Sequence, residues 1–159
     1  MSIVGQAKNM QLEGHFRVRI DGFADTDFAE CSELKAVVDG VEYKSGGEAL
    51  VHKQPGHKVT FSDVTLKRGV CNDYDLYLWF SQVVQLMAAA AGADATGLSG
   101  NATKRNVEIV QLDNDGKTLQ SWTLRCYPGE FSAGQWNADS KNVRVESLVL
   151  RVCSFDLTG

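Results

Sequence analysis

The sequence predicts a mainly β protein: two packed antiparallel sheets, a sandwich or open barrel, with one flanking α-helix. Three observations predict it. Short apolar–polar alternations recur along the chain, bounded by Gly, Asn and Asp. A single segment carries a continuous apolar stripe at helical spacing. Strand and helix patterns do not alternate, so no βαβ rhythm calls for a parallel sheet. No internal repeat or linker divides the 159 residues, and residues 1–159 are expected to form one domain.

Phe16, Val18 and Ile20 alternate with Arg17, Arg19 and Asp21, the period of a half-buried strand. Asp21-Gly22 marks the turn that ends it. A second strand is predicted from about Phe28 to Val38. Asp39-Gly40 then reads as a tight hairpin turn leading into Val41-Glu42-Tyr43, because a type I′ turn needs positive φ at both central positions. Lys44 to Gly56 reads as a long polar loop punctuated by Gly46-Gly47 and Pro55-Gly56. The next strand runs from about Lys58 to Lys67. Val59 and Phe61 share one parity, Val64 and Leu66 the other, so a β-bulge is expected near Ser62-Asp63.

The helix is predicted from Leu76, Trp79, Phe80, Val83, Val84 and Met87, which fall at i, i+3, i+4, i+7, i+8 and i+11. Asn72 or Asp73 can cap its start and Gly92 can end it. Ala93 to Lys104 is small and polar, a connection. Strand patterning resumes at Val107 to Leu112, and Asp113-Asn114-Asp115-Gly116 is a turn. Trp122, Leu124 and Cys126 alternate with Thr123 and Arg125, and Pro128-Gly129 is expected to break the chain. Val143 to Phe155 is a long final strand with a parity shift near Glu146-Ser147.

Composition is ordinary for a globular protein, with 43% hydrophobic and 23% charged residues. A net charge of −4 argues against a protein that grips nucleic acid through its phosphates. Met1 to Met10 holds no apolar run of signal-peptide length. The longest apolar stretch, Val83 to Ala91, is interrupted by Gln85 and is too short to span a bilayer. Synthesis in the bacterial cytoplasm is expected, without stable membrane association. Cys31, Cys71, Cys126 and Cys153 form no CxxC pair and read as buried free thiols.

The chain shows no arrangement that carries chemistry. His52 and His57 share the long loop, but no Cys, Asp or Glu completes a metal shell at familiar spacing. Gly46-Gly47 fits neither the P-loop nor the dinucleotide pattern, and Leu66-Lys67-Arg68-Gly69-Val70 lacks the glycines of a phosphate loop. No GxSxG-type elbow marks a nucleophile. No catalytic, cofactor or metal residues are expected, and the protein is not expected to be an enzyme.

Several segments do carry a resemblance, in order and spacing. They are Phe16-Arg17-Val18-Arg19-Ile20-Asp21-Gly22; Glu30-Cys31-Ser32-Glu33-Leu34; Glu42-Tyr43 with Gly46-Gly47; and Lys53-Gln54-Pro55-Gly56. The most specific is Thr65-Leu66-Lys67-Arg68-Gly69-Val70, followed by Asp73 and Leu76-Tyr77-Leu78-Trp79. Trp136-Asn137-Ala138 then leads to Val145-Glu146-Ser147-Leu148. From about Phe16 to Leu157 the chain resembles the tail-tube proteins of contractile phages, a family that also supplies the inner tubes of phage-tail-like contractile injection systems. It departs at Glu33, where the family usually has Gly.

The resemblance implies subunits that assemble as a homo-hexamer, a ring whose sheets join into one barrel around a channel. Rings stack into a tube inside a contractile sheath, with baseplate hub proteins at one end and DNA or protein cargo in the lumen. The particle is a phage tail or an injection machine. The segment Lys44 to Gly56 is expected to reach a neighbouring ring. The expected subunit-interface residues are Glu42, Tyr43, Gly46, Gly47, Lys53, Pro55 and Gly56, with Lys67 and Arg68 bridging subunits. Two alternatives stand beside the main tube: a tube-initiating paralogue at the baseplate hub, and a small-ligand-binding β-barrel, which would need a closed apolar cavity.

Overall fold

The computed structural model describes residues 14–25, 27–44, 46–47, 49–70, 73–91 and 103–159. Its described elements run β1 (Phe16–Ile20), β2 (Glu30–Cys31), β3 (Ala36–Tyr43), β4 (His52–Phe61), β5 (Val64–Gly69), α1 (Asp75–Ala91), β6 (Arg105–Leu112), β7 (Thr118–Ser132) and β8 (Val145–Leu157). Six strands form one antiparallel sheet in the order β1-β6-β7-β8-β5-β2. It curls into a half-barrel, and β3 pairs with β4 in a separate two-stranded ribbon. The mainly β architecture with one helix is the one the sequence predicts.

Cross-strand register puts one apolar row on one face. Ile20 lies opposite Val107, Val107 opposite Leu124, Leu148 opposite Leu66 and Leu150 opposite Val64. Trp79 and Leu76 of α1 close this face, and with Val18, Phe28 and Cys126 these residues make one buried cluster. Each fully buried Leu or Val contributes about 1.5–3 kcal/mol relative to exposure, so this row holds the sheet and helix together. The Trp79 indole satisfies its one donor on the Thr103 carbonyl at 2.7 Å, which lets so large a polar-tipped ring be wholly buried.

The helix starts where expected. Asp73 Oδ1 accepts from the Asp75 backbone N–H at 3.1 Å. Asn72 and Gly92 lie outside the described residues. Of the predicted stripe, Leu76, Trp79 and Val83 are buried, whereas Val84 and Met87 are exposed. The turn after β6 also forms as read. Asp113 Oδ1 accepts from the backbone N–H groups of Asp115 and Lys117, and Gly116 takes the left-handed conformation at φ 81°.

Five local expectations are corrected. Asp39-Gly40 is not a hairpin turn: both residues lie inside β3, where Gly56, His57 and Lys58 stand opposite Asp39 alone. An apolar run on each side of Asp-Gly is equally compatible with a bulged strand when the partner is long enough to pair with both. The polar segment Lys44 to Gly56 is a loop only as far as Val51; from His52 onward it is β4, so Lys53, Pro55 and Gly56 are strand residues. Ser62-Asp63 is not a bulge within one strand but the passage from the ribbon to the main sheet. Pro128-Gly129 does not break β7. Pro128 pairs with Leu150, Glu130 pairs with Val149, and Gly129 is the extra residue of a bulge. Finally, Glu146, Leu148 and Leu150 are all buried, so parity holds through Glu146-Ser147; it shifts later, at unpaired Cys153.

Candidate assembly interface

The interface residues read from the sequence fall into two groups on two sheets. Glu42 and Tyr43 end β3; Lys53, Pro55 and Gly56 lie in β4; Gly46 and Gly47 sit in the connection between them. Lys67 and Arg68 lie on β5 of the main sheet.

The ribbon group is built by cross-strand pairing. Tyr43 lies opposite His52 and Glu42 opposite Lys53. The Tyr43 and His52 rings stack at 5.1 Å with 20° between their planes. Gln54 Nε2 donates to the Tyr43 hydroxyl at 3.4 Å, and Lys53 Nζ lies 3.8 Å from Glu42 Oε1. The last is a solvent-exposed pair of a kind worth about 0–1 kcal/mol. Gly56 has a steric reason to be glycine. A Cβ there would stand 2.9 Å from the Asp39 carbonyl oxygen, because the bulge brings the two backbones together.

Every residue of β3 is exposed, including Val37, Val38, Val41 and Tyr43. An aromatic contact joins the ribbon's base to the main sheet, Phe61 edge-on to Phe155 at 5.3 Å. A two-stranded ribbon is marginal alone in water, and its strand edges are templates for further pairing.

On β5 the two basic neighbours behave differently. Lys67 Nζ lies 3.7 Å from Glu30 Oε2 and is half-exposed. Arg68 points the other way, into the core, with 3% of its side chain exposed. Its Nε donates to Glu146 Oε1, its Nη2 donates to the Asp73 carbonyl at 3.0 Å, and its Nη1 lies 3.7 Å from Asp73 Oδ2. Its guanidinium carbon also lies 5.8 Å from the Phe28 ring centroid. Arg68 is therefore occupied inside its own chain, tying β5, β8 and the start of α1. Burial, with the neighbouring Asp73 next, pushes the Asp75 carboxyl above its usual range.

Glu146 is the residue the sequence reading missed as a partner. The signal was present: a lone acid at a core-parity position, Glu146-x-Leu148-x-Leu150, matching a lone base in Val64-x-Leu66-x-Arg68. The most specific motif segment, Thr65 to Val70, and the later segment Val145 to Leu148 thus meet as antiparallel neighbours sharing a buried ion pair.

Among the described residues no three His, Cys, Asp or Glu side chains gather to hold a metal ion. Nor is any described helix long and apolar enough to cross a membrane. Cys126 is buried and Cys31 partly so, but Cys153 is exposed, against the expectation of uniformly buried thiols. Burial pushes the Cys126 thiol up to about 12 and the Cys31 thiol up to about 11.

The fold is similar to that of chains in several solved structures. A chain in the cryo-EM structure of the anti-feeding prophage baseplate is 21% identical, with 96% of this chain and 98% of that one covered and a TM-score of 0.75. A chain of the extended sheath–tube complex of an extracellular contractile injection system, PVC, is 19% identical, with 94% and 92% covered and a TM-score of 0.74. Hcp1 from Flavobacterium johnsoniae shares the fold more distantly, at 11% identity, 91% and 94% coverage and a TM-score of 0.57. No curated protein matches in sequence. The family model of the T4-like virus tail tube protein gp19 matches residues 13–156, nearly the whole chain. The chain belongs to that tail-tube protein family.

Proposed function

We propose that this protein is the structural inner-tube subunit of a contractile injection machine, forming stacked hexameric rings around a channel for DNA or protein cargo. The sheath surrounds it and baseplate hub proteins start it. The observation that carries this reading is the ribbon: eight consecutive exposed residues of β3, four of them large and apolar, within a family of tube proteins. Such a strand pair has little to gain as a free appendage and much to gain as part of a barrel shared between copies.

In this reading Glu42, Tyr43, Gly46, Gly47, Lys53, Pro55 and Gly56 form the contact to the next subunit, and Lys67 with Glu30 flanks it. Arg68 supports the assembly from inside the subunit. The work is mechanical, a rigid pipe driven by the sheath, and no catalytic step is required. A ligand-binding barrel would need a closed apolar cavity: the hollow lined by Val18, Ile20, Phe28 and Leu76 has no room for a water molecule, and the roomier one of about 560 Å³ lined by Phe16, Leu34, Ile109, Trp122 and Phe155 is an open depression. The likeness to a chain of a baseplate structure favours a second role, tube initiation at the hub.

Negative-stain electron microscopy over a concentration series tests the proposal. Six-fold rings and stacked tubes with a central channel are the expected result. Rings that never stack, or that form only on added baseplate hub protein, would instead establish the initiator. A monomer under all these conditions would overturn both.

A further inference from the structure

Helix α1 has two faces, and the outward one is unusual. After Asp75, no residue from Leu76 to Ala91 carries a charge. A helix that covers a core on one side normally presents charged and polar residues to water on the other; here the outward side has Ser81, Gln82 and Gln85 but no charge. The large apolar residues exposed here are Tyr77, Leu78, Val84 and Met87, with Tyr74 just before the helix, each more than half accessible; Gln82, Gln85 and Ala88 are exposed among them. Tyr77 joins this patch to the half-buried Phe131 of β7 at 5.7 Å between ring centroids. The five expose on the order of 600 Å², the upper end of the largest patch on a typical monomer and most of the ~800 Å² that one partner contributes to a stable interface.

We infer that the outward face of α1 is a permanent interface with a second copy of this chain. This rests on the tube reading above and extends it to a surface that the ribbon residues do not include. Three observations favour a second copy over a protein that must come and go. The face is uncharged and mostly apolar, with Gln82 and Gln85 as its exposed polar groups, and depletion of charge is the compositional mark of an interface core. The area approaches that of a stable interface. The same chain also carries uncovered apolar residues elsewhere, with Val38 paired beside Val59 on the ribbon, so two copies can supply both halves of a head-to-tail contact.

The test is Val84→Glu, with Val84→Leu as the conservative partner, in the full chain. Val84 is half-exposed in the free subunit, so the thermal unfolding midpoint of monomeric Val84→Glu should match that of wild type. Its assembly, followed by sedimentation and electron microscopy, should need a concentration at least about tenfold higher, while Val84→Leu assembles as wild type does. If wild type assembles and Val84→Glu assembles equally well, the inference is overturned; the face then serves a sheath-like partner or none. If wild type itself does not assemble, the tube reading falls and this inference with it. If Val84→Glu monomer melts well below wild type, hydrogen exchange of residues 75–91 in wild-type monomer and tube decides. Added protection in the tube supports the contact, and unchanged protection overturns it.

Discussion

The curled six-stranded sheet and the two-stranded ribbon belong to one chain but obey different rules. In the sheet, strands such as β5 and β8 alternate buried with more accessible residues, and a buried ion pair is tied to three elements. In the ribbon, all of β3 is exposed whatever its parity, and valines face water on both sides. The lesson is that the sheet buries its apolar face within its own chain, whereas the ribbon leaves its apolar residues uncovered there. Free-chain stability and assembly should therefore respond to mutations in different places.

The sharpest way to break this contrast lies at the Arg68–Glu146 pair. Glu146→Ala leaves the guanidinium buried without its carboxylate and should destabilise the free chain by about 3–5 kcal/mol in urea unfolding. Arg68→Met combined with Glu146→Leu should recover most of that loss, since apolar pairs of similar volume replace buried ion pairs without penalty. If the single variant is as stable as wild type, the sheet is not held where the geometry places its clamp.

Thiol chemistry gives the next contrast, within the sheet itself. In a Cys71→Ser background at pH 8, Cys153 should react with a maleimide at least about a hundredfold faster than Cys126. The thiolate is the nucleophile, and a pKa pushed up to about 12 leaves Cys126 almost wholly protonated as well as covered. Equal rates by mass spectrometry would mean that the core opens at β7–β8.

The smallest effect is expected in the ribbon. Tyr43→Ala removes an exposed ring from its stack on His52 and should change free-chain stability by less than about 0.5 kcal/mol. The same substitution should impair assembly, measured by sedimentation. A large loss of monomer stability would show that the ribbon is part of the subunit's own fold.

The sequence made some of this legible, and physical reasons separate what it revealed from what it hid. β1, the helix and the Asp113–Gly116 turn were readable because each is specified locally, by alternation, by helical spacing or by a side chain capping its own turn. The misread places depend on a distant partner. Asp39-Gly40 is a turn or a bulge according to how far β4 continues. Pro128 is tolerated in β7 because Gly129 supplies a bulge against β8. Glu146 is intelligible only beside Arg68, 78 positions earlier. The expected interface residues came from family resemblance alone. Their grouping on the ribbon became visible with the fold, which also withdrew Arg68 to the inside.

The two-residue passage at Ser62-Asp63 has a further consequence. β4 and β5 follow one another with almost no slack, since two residues span at most ~7 Å. A load taken up by the ribbon passes along the backbone directly into β5. From there it is shared sideways with β8 through a ladder running from Val64–Leu150 to Gly69–Val145. A pull along β5 loads those hydrogen bonds together, in shear, instead of peeling them one at a time. Where the ribbon is the handle by which neighbours grip, the subunit is gripped in the direction in which a sheet is hardest to tear.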